Sequence, residues 1–223
     1  MKDIDTATPI SAVLSATESE PAAEVKQRAD ARRNRRRILA AAREQFAEHG
    51  LEVPVEQIAR AGGVGVGTVY RHFPAKEDLL QALADERFAW FAENARTALE
   101  DPDPWNGFRE FMRKSGRVTA EDRALSEAMD QLPYLCAAAA EKARLLELTQ
   151  ELIERAQASG SMRADFTADD VPSLMRGLAR ATASHDSGPP AMSWERYLEI
   201  MLAGLAPGEG SSPAGRLSDR LVK

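Results

Sequence analysis

Apolar positions along this chain recur three and four residues apart, and no stretch alternates apolar and polar residues in the manner of a strand. That pattern predicts an all-α protein. After an arginine-rich amphipathic segment, Pro54 to Ala61 (PVEQIARA) places Val55, Ile58 and Ala59 on one helical face, and Pro54 suits a first helical position because its missing N–H does no harm there. Gly62 and Gly63 permit the left-handed backbone that ends a helix, and Val64 is an apolar plug for the corner between two steeply crossing helices. Helical spacing resumes from Val66 to Phe73, with Val69 and Phe73 facing inward. Thr68, Tyr70, Arg71 and His72 then supply hydroxyl, phenol, guanidinium and imidazole groups for a groove or phosphate wall. Pro74 ends this helix, and Ala75-Lys76-Glu77-Asp78 opens another whose N–H groups and lysine can approach a phosphate.

Helical spacing dominates the rest of the chain. Leu79, Leu80, Leu83, Phe88 and Phe91 mark a long helix from Ala75 to about Leu99, and Asp101-Pro102-Asp103-Pro104 interrupts it. Further helices are expected from Trp105 to Lys114, from about Glu121 to Leu132 before Pro133, and from Ala137 to Ala158 before Ser159-Gly160. The last two are expected from about Ala168 to Ala183 and from Ser193 to Leu205. Residues 1–31 read as a disordered, partly basic arm, 32–80 as a helix-turn-helix domain, 81–206 as a larger helical domain, and 207–223 as a flexible tail.

The total charge of −6 would repel a polyanion, but its distribution reverses the inference. Between Lys26 and Lys76 eleven Lys/Arg face five Asp/Glu, a net of +6 that leaves −12 for the remainder. A positive field is therefore concentrated at one end. The densest run is Lys26, Arg28, Arg32, Arg33, Arg35, Arg36 and Arg37, an arm able to follow a DNA backbone or insert arginines into a minor groove.

The residues Gly63-Val64, Gly67-Thr68-Val69-Tyr70-Arg71-His72-Phe73-Pro74-Ala75-Lys76, and Leu79-Leu80 resemble the helix-turn-helix and fourth-helix start of TetR-type (TetR/AcrR) regulators. The resemblance extends over Arg36 to Leu83 and includes Ile38 to Gly50, which is similar to that family's first helix and its glycine stop. It implies a homodimer of all-helical subunits, with three N-terminal helices on DNA and a divergent C-terminal domain holding a small-molecule pocket. By the same resemblance, Tyr70, His72 and Lys76 are phosphate contacts. Gly65, Val66 and Gly67 depart from the family pattern, standing where longer polar side chains often reach base edges, and Val55 replaces a frequent hydroxyl. Direct readout is expected to be sparse, through Val66 on a thymine methyl, Thr68 on a base or phosphate and Arg71 on guanine, with Gly67 permitting close backbone approach. The expected DNA-binding set is Arg32, Arg33, Gly65, Val66, Gly67, Thr68, Tyr70, Arg71, His72 and Lys76.

Other chemistries find little support. Gly63, Gly65 and Gly67 give G-x-G-x-G after a helix rather than a dinucleotide fingerprint after a strand, and neither G-x-S-x-G nor H-E-x-x-H occurs. No enzyme, cofactor or metal site is expected; Cys136 stands alone, and His49, His72 and His185 are scattered. No segment reads as a signal peptide or membrane span, so a cytoplasmic protein is expected. The alternative is a helical protein-interaction module that does not bind DNA.

Two sets of apolar residues await placement. Phe88, Phe91, Trp105, Phe108, Phe111, Met112, Met129, Leu132 and Tyr134 are pocket candidates for a hydrophobic effector, with Arg109, Arg113, Glu127 or Asp130 to orient it, although such residues also make ordinary core. Leu174, Leu178, Trp194, Leu198, Met201 and Leu205 form stripes on the last two helices, which the resemblance implies pack against a second copy. Two copies would match a palindromic operator in successive major grooves.

Overall fold

The computed structural model describes residues 22–131, 140–182 and 192–207. Among them the chain forms α1 (Ala22–His49), α2 (Val55–Ala61), α3 (Val66–His72), α4 (Lys76–Ala98), α5 (Pro104–Glu121), α6 (Arg123–Gln131), α7 (Ala140–Ala158), α8 (Val171–Ala181) and α9 (Trp194–Leu205). A 3₁₀ turn at Ala168–Asp170 precedes α8, and no strand occurs among the described residues. The all-α reading of the sequence stands.

Two apolar cores organise these helices. Ile38 and Phe46 of α1, Ile58 of α2, Val69 of α3 and Leu79 and Leu83 of α4 form the first. Phe108 and Met112 of α5, Leu152 and Ile153 of α7, Leu178 of α8 and Leu198 of α9 belong to the second. Fully burying an aliphatic or aromatic side chain of this size contributes about 1.5–3 kcal/mol, which makes each core the main source of its unit's stability. The helix α4 belongs to both, since Ala95 near its far end lies in the second core.

Helix α6 crosses the expected domain boundary. Leu125 and Ala128 are buried in the first core with Met129 packed against it, so an element assigned by sequence to the regulatory domain completes the helix-turn-helix unit.

The boundaries differ from expectation in three places. The assigned arm ends at residue 31, yet α1 begins at Ala22, so its last ten residues are helical. Between Ala22 and His49 there is no glycine or proline, and Ala, Arg, Gln, Glu and Lys are strong helix formers, so nothing stops the helix earlier. Helix α5 runs on to Glu121 rather than Lys114. Its start is fixed by Asp103, whose carboxylate accepts from the N–H groups of Trp105 and Asn106 at 3.0 and 3.1 Å, with Pro104 at the first helical position. Pro54 caps α2 from outside rather than occupying its first turn. Residues 1–21, 132–139, 183–191 and 208–223, including Leu132, Tyr134, Cys136, His185 and most of the expected tail, lie outside the described residues.

Close packing of α4 on α5 depends on Gly107. A Cβ there would lie 2.5 Å from the Ala98 carbonyl oxygen, a backbone atom that cannot move aside cheaply. The same α4 terminus is held by Arg155 of α7, which donates to the carbonyls of Leu99 and Asp101.

Candidate nucleic-acid interface

The turn between α2 and α3 is built from backbone requirements first. Gly62 and Gly63 donate to the carbonyls of Ile58 and Arg60 at 2.8 and 3.1 Å, closing α2, and Gly63 has φ of +60°, where a side chain is strained. Val64 packs against the first core, so the chain turns sharply into α3. Arg37 of α1 donates to the Gly63 carbonyl at 3.1 Å and holds this turn from outside. Neither its role nor that of Arg35, whose guanidinium carbon stands 5.0 Å over the Phe73 ring, was legible from spacing, because both partners lie far along the chain.

Helix α3 is anchored by Val69 and by Phe73 just beyond it, both buried. Its other face is open. Tyr70 is 44% exposed, Gly65, Gly67 and Arg71 are exposed, and Thr68 is half-buried. A Cβ on Gly67 would meet nothing within 4 Å, so this side of the helix leaves room for a close-lying surface. Val66 is half-buried and packs on the first core, which leaves only part of it for a base edge.

The remaining candidates divide. Lys76 is half-buried at the start of α4, its ammonium 5.9 Å above the Phe46 ring. Asp78 accepts from the Ala75 N–H at 2.9 Å, so that donor, one of those expected to approach a phosphate, is already occupied. His72 has its Nε2 shut away from solvent without a hydrogen-bond partner among the described residues. Burial, then the charges of Arg71 and Arg35, lower its pKa and favour the neutral ring. Arg32 and Arg33 are exposed on α1, with Arg33 paired to Asp30 and the Arg32 Nε turned to the Arg28 carbonyl at 3.4 Å.

Among the described residues the pocket candidates divide between different sites. Phe108, Phe111 and Met112 are buried in the second core, where Phe108 stacks with Trp105 at 5.9 Å and meets Phe166 edge-on at 6.1 Å. Met129 packs on the first core, and Phe91 lies beneath the Arg87 guanidinium at 5.4 Å; Phe88 is buried on α4. An open depression on α8, lined by Ser173, Arg176, Gly177 and Arg180, has none of the pocket candidates on its wall. Of the dimer candidates, Leu178, Leu198 and Leu205 are buried in the subunit's own second core and are unavailable to a partner. Leu174, Trp194 and Met201 are half-buried, and Ile200, which apolar spacing left unremarked, is 49% exposed.

A buried polar cluster was also missed. Arg87 on α4, only 6% exposed, donates to the Ser126 and Thr119 hydroxyls at 3.0 and 3.3 Å and reaches the Asp122 carbonyl at 3.4 Å. Along the same seam the Asn94 amide donates to the Phe111 carbonyl and the Ser115 hydroxyl. Among the described residues there is no cluster of His, Cys, Asp and Glu able to hold a metal, and no helix is long and apolar enough to cross a membrane.

This helix-turn-helix on a helical body defines a class of bacterial regulator. Residues 38–83 match the family model described as bacterial regulatory proteins, tetR family, and residues 103–207 match the C-terminal domain of SbtR-like transcriptional regulators. A TetR transcription regulatory protein of Mycobacterium vanbaalenii is 36% identical with a TM-score of 0.59, covering 81% of this chain and 99% of its own. The chain therefore belongs to the TetR family. The HTH-type transcriptional repressor AcnR of Corynebacterium efficiens is 38% identical over 103 residues, 41% of this chain and 55% of that one. The repressor KstR of Mycobacterium tuberculosis is 32% identical over 139 residues, 60% and 63% of the two chains. The chain thus spans a little over half the length of these curated relatives.

Proposed function

We propose that this protein is a homodimeric transcriptional regulator, acting as a repressor, that binds a palindromic operator through α3 and is released by a small hydrophobic effector. The observation that carries the reading is the open face of α3, with Tyr70, Arg71 and Thr68 beside an arginine-rich α1, at the positive end of an otherwise acidic chain. Tyr70, Arg71, Lys76, Arg32 and Arg33 fix the protein on phosphates, while Thr68 and Val66 read bases and Gly65 and Gly67 let the backbone come close. His72 contributes a neutral ring rather than a charge.

Dimerisation falls to the exposed sides of α8 and α9, where Ile200, Met201, Leu174 and Trp194 supply apolar surface. The effector acts in the second unit, among the apolar side chains of α5 and its neighbours. Helix α6 suits transmission, because it is bonded to α4 through Arg87 and Ser126 while Leu125 and Ala128 sit in the first core. An effector that prefers a different setting of α4 and α6 changes the separation of the two α3 helices and lowers operator affinity.

The test is a salt titration of binding to duplex DNA. Affinity that falls steeply and linearly on logarithmic axes supports the reading, as does release by apolar compounds. Salt-insensitive association with a protein partner, and none with DNA, refutes it in favour of an interaction module.

A further inference from the structure

The N-terminal half of α1 is a basic helix outside both cores. None of the side chains from Lys26 to Arg37 is buried, yet the helix continues unbroken from Ala22 to the first core residue, Ile38, a length of about 24 Å. Seven of the twelve residues from 26 to 37 are Lys or Arg, against the single acid Asp30. Arg28, Arg32 and Arg36 fall at successive four-residue steps on one face, roughly 6 Å apart along the axis, whereas Asp30 is on another face and pairs with Arg33. Like charges so arranged repel one another, and a row of anions relieves the repulsion.

The stripe is placed by its neighbours. Arg37 touches the turn entering α3, and Arg35 covers Phe73 at the exit from α3, so α1 passes the recognition helix and then continues beyond it. The geometry points to Arg28, Arg32 and Arg36 as a rigid helical extension that tracks phosphates of one strand in the duplex flanking the operator half-site, enlarging the footprint beyond what α3 covers. This rests on the operator-binding reading above. An α-helix about 10–12 Å across does not fit a minor groove about 6 Å wide, which favours phosphates over base edges. It also supplies affinity where Gly65 and Gly67 leave α3 few base contacts.

The test uses the full chain, its Arg28→Ala/Arg32→Ala/Arg36→Ala variant and the corresponding triple Lys variant. Each is titrated with salt on the selected site alone and on the same site with about ten base pairs of scrambled flank. Alanine favours helix, so circular dichroism should match the parent. The parent should bind the flanked duplex more tightly, and the Ala variant should lose that advantage and about 5.4 from the logarithmic salt slope of the dimer, roughly 0.9 for each of six phosphates, three per subunit. Its selected core sequence should not change, and the Lys variant should keep most of the slope. An Ala variant with the parental slope and flank advantage overturns the inference, and so does an advantage confined to A·T-rich flanks, which signifies minor-groove insertion. If the parent selects no site, the regulator reading itself fails, and the inference with it.

Discussion

Arg87 on α4 donates to the Ser126 hydroxyl on α6 at 3.0 Å, and this bond joins the helix that spans both cores to the helix that enters the first from the side. The corner it secures is held from α1 as well, where Arg43 lies 3.2 Å from Glu86 and 4.0 Å from Asp122. Both ion pairs are partly exposed and contribute little by themselves, whereas Arg87 is itself buried, so a lost partner there is costly.

Ser126→Ala should therefore destabilise the protein by about 1–3 kcal/mol, because it removes an acceptor from a buried guanidinium. The check is urea unfolding, with a lower midpoint at an unchanged m-value. If α6 transmits the effector signal, the variant also shifts the effector concentration that releases DNA; a loss of stability with unaltered release would assign Ser126 to packing alone.

Gly67→Ala separates stability from recognition. The added methyl meets nothing within 4 Å, and removing a glycine from an exposed helix stabilises by roughly 0.5–1 kcal/mol. The variant should melt at a higher temperature yet bind operator more weakly, since Gly67 lies on the side of α3 proposed to approach DNA. Higher stability with undiminished affinity would remove α3 from close backbone contact.

His72 makes stability sensitive to mild acid. Its pKa is lowered in the folded protein, by burial first and then by Arg71 and Arg35, while an unfolded histidine titrates near 6.5. The unfolded chain therefore binds the proton more readily, and the stability present above pH 6.5 is lost as pH falls below it toward the folded value. Thermal melts between pH 7.5 and 5.5 should show a fall that is smaller in His72→Gln; an equal fall in both proteins would place the effect elsewhere.

On α9, Ile200→Asp should convert the proposed dimer to monomer in sedimentation velocity without loss of helicity, because the side chain is exposed in the subunit. Leu178→Asp, at a position buried in the second core, should instead unfold that unit. A dimer that survives Ile200→Asp would move the interface away from this face.

The helix-turn-helix was legible because its signals are local. Glycines at 62 and 63, the plug Val64, the inward pair Val69 and Phe73, and Pro74 all act within a few residues of one another. What escaped the sequence depends on long-range approach. Leu178, Leu198 and Leu205 share the stripes of the last two helices with Leu174, Trp194 and Met201, and the packing of α8 and α9 on α5 decides which face inward. Leu125 and Ala128 likewise read as members of the regulatory domain, because periodicity reports a helix's apolar face and not the core that receives it. Among the described residues the pocket candidates divide for the same reason, with Trp105, Phe108, Phe111 and Met112 at the second core and Met129 at the first.

Selection of bound sequences from a random duplex pool, at one stated salt concentration and with protein shown to be folded, tests the central claim most directly. The account predicts enrichment of an inverted repeat whose half-sites lie about one helical turn apart, as two α3 helices related by a two-fold axis require. Recovery of unenriched sequence, repeated after the protein has been unfolded and refolded to strip any bound effector, would contradict it.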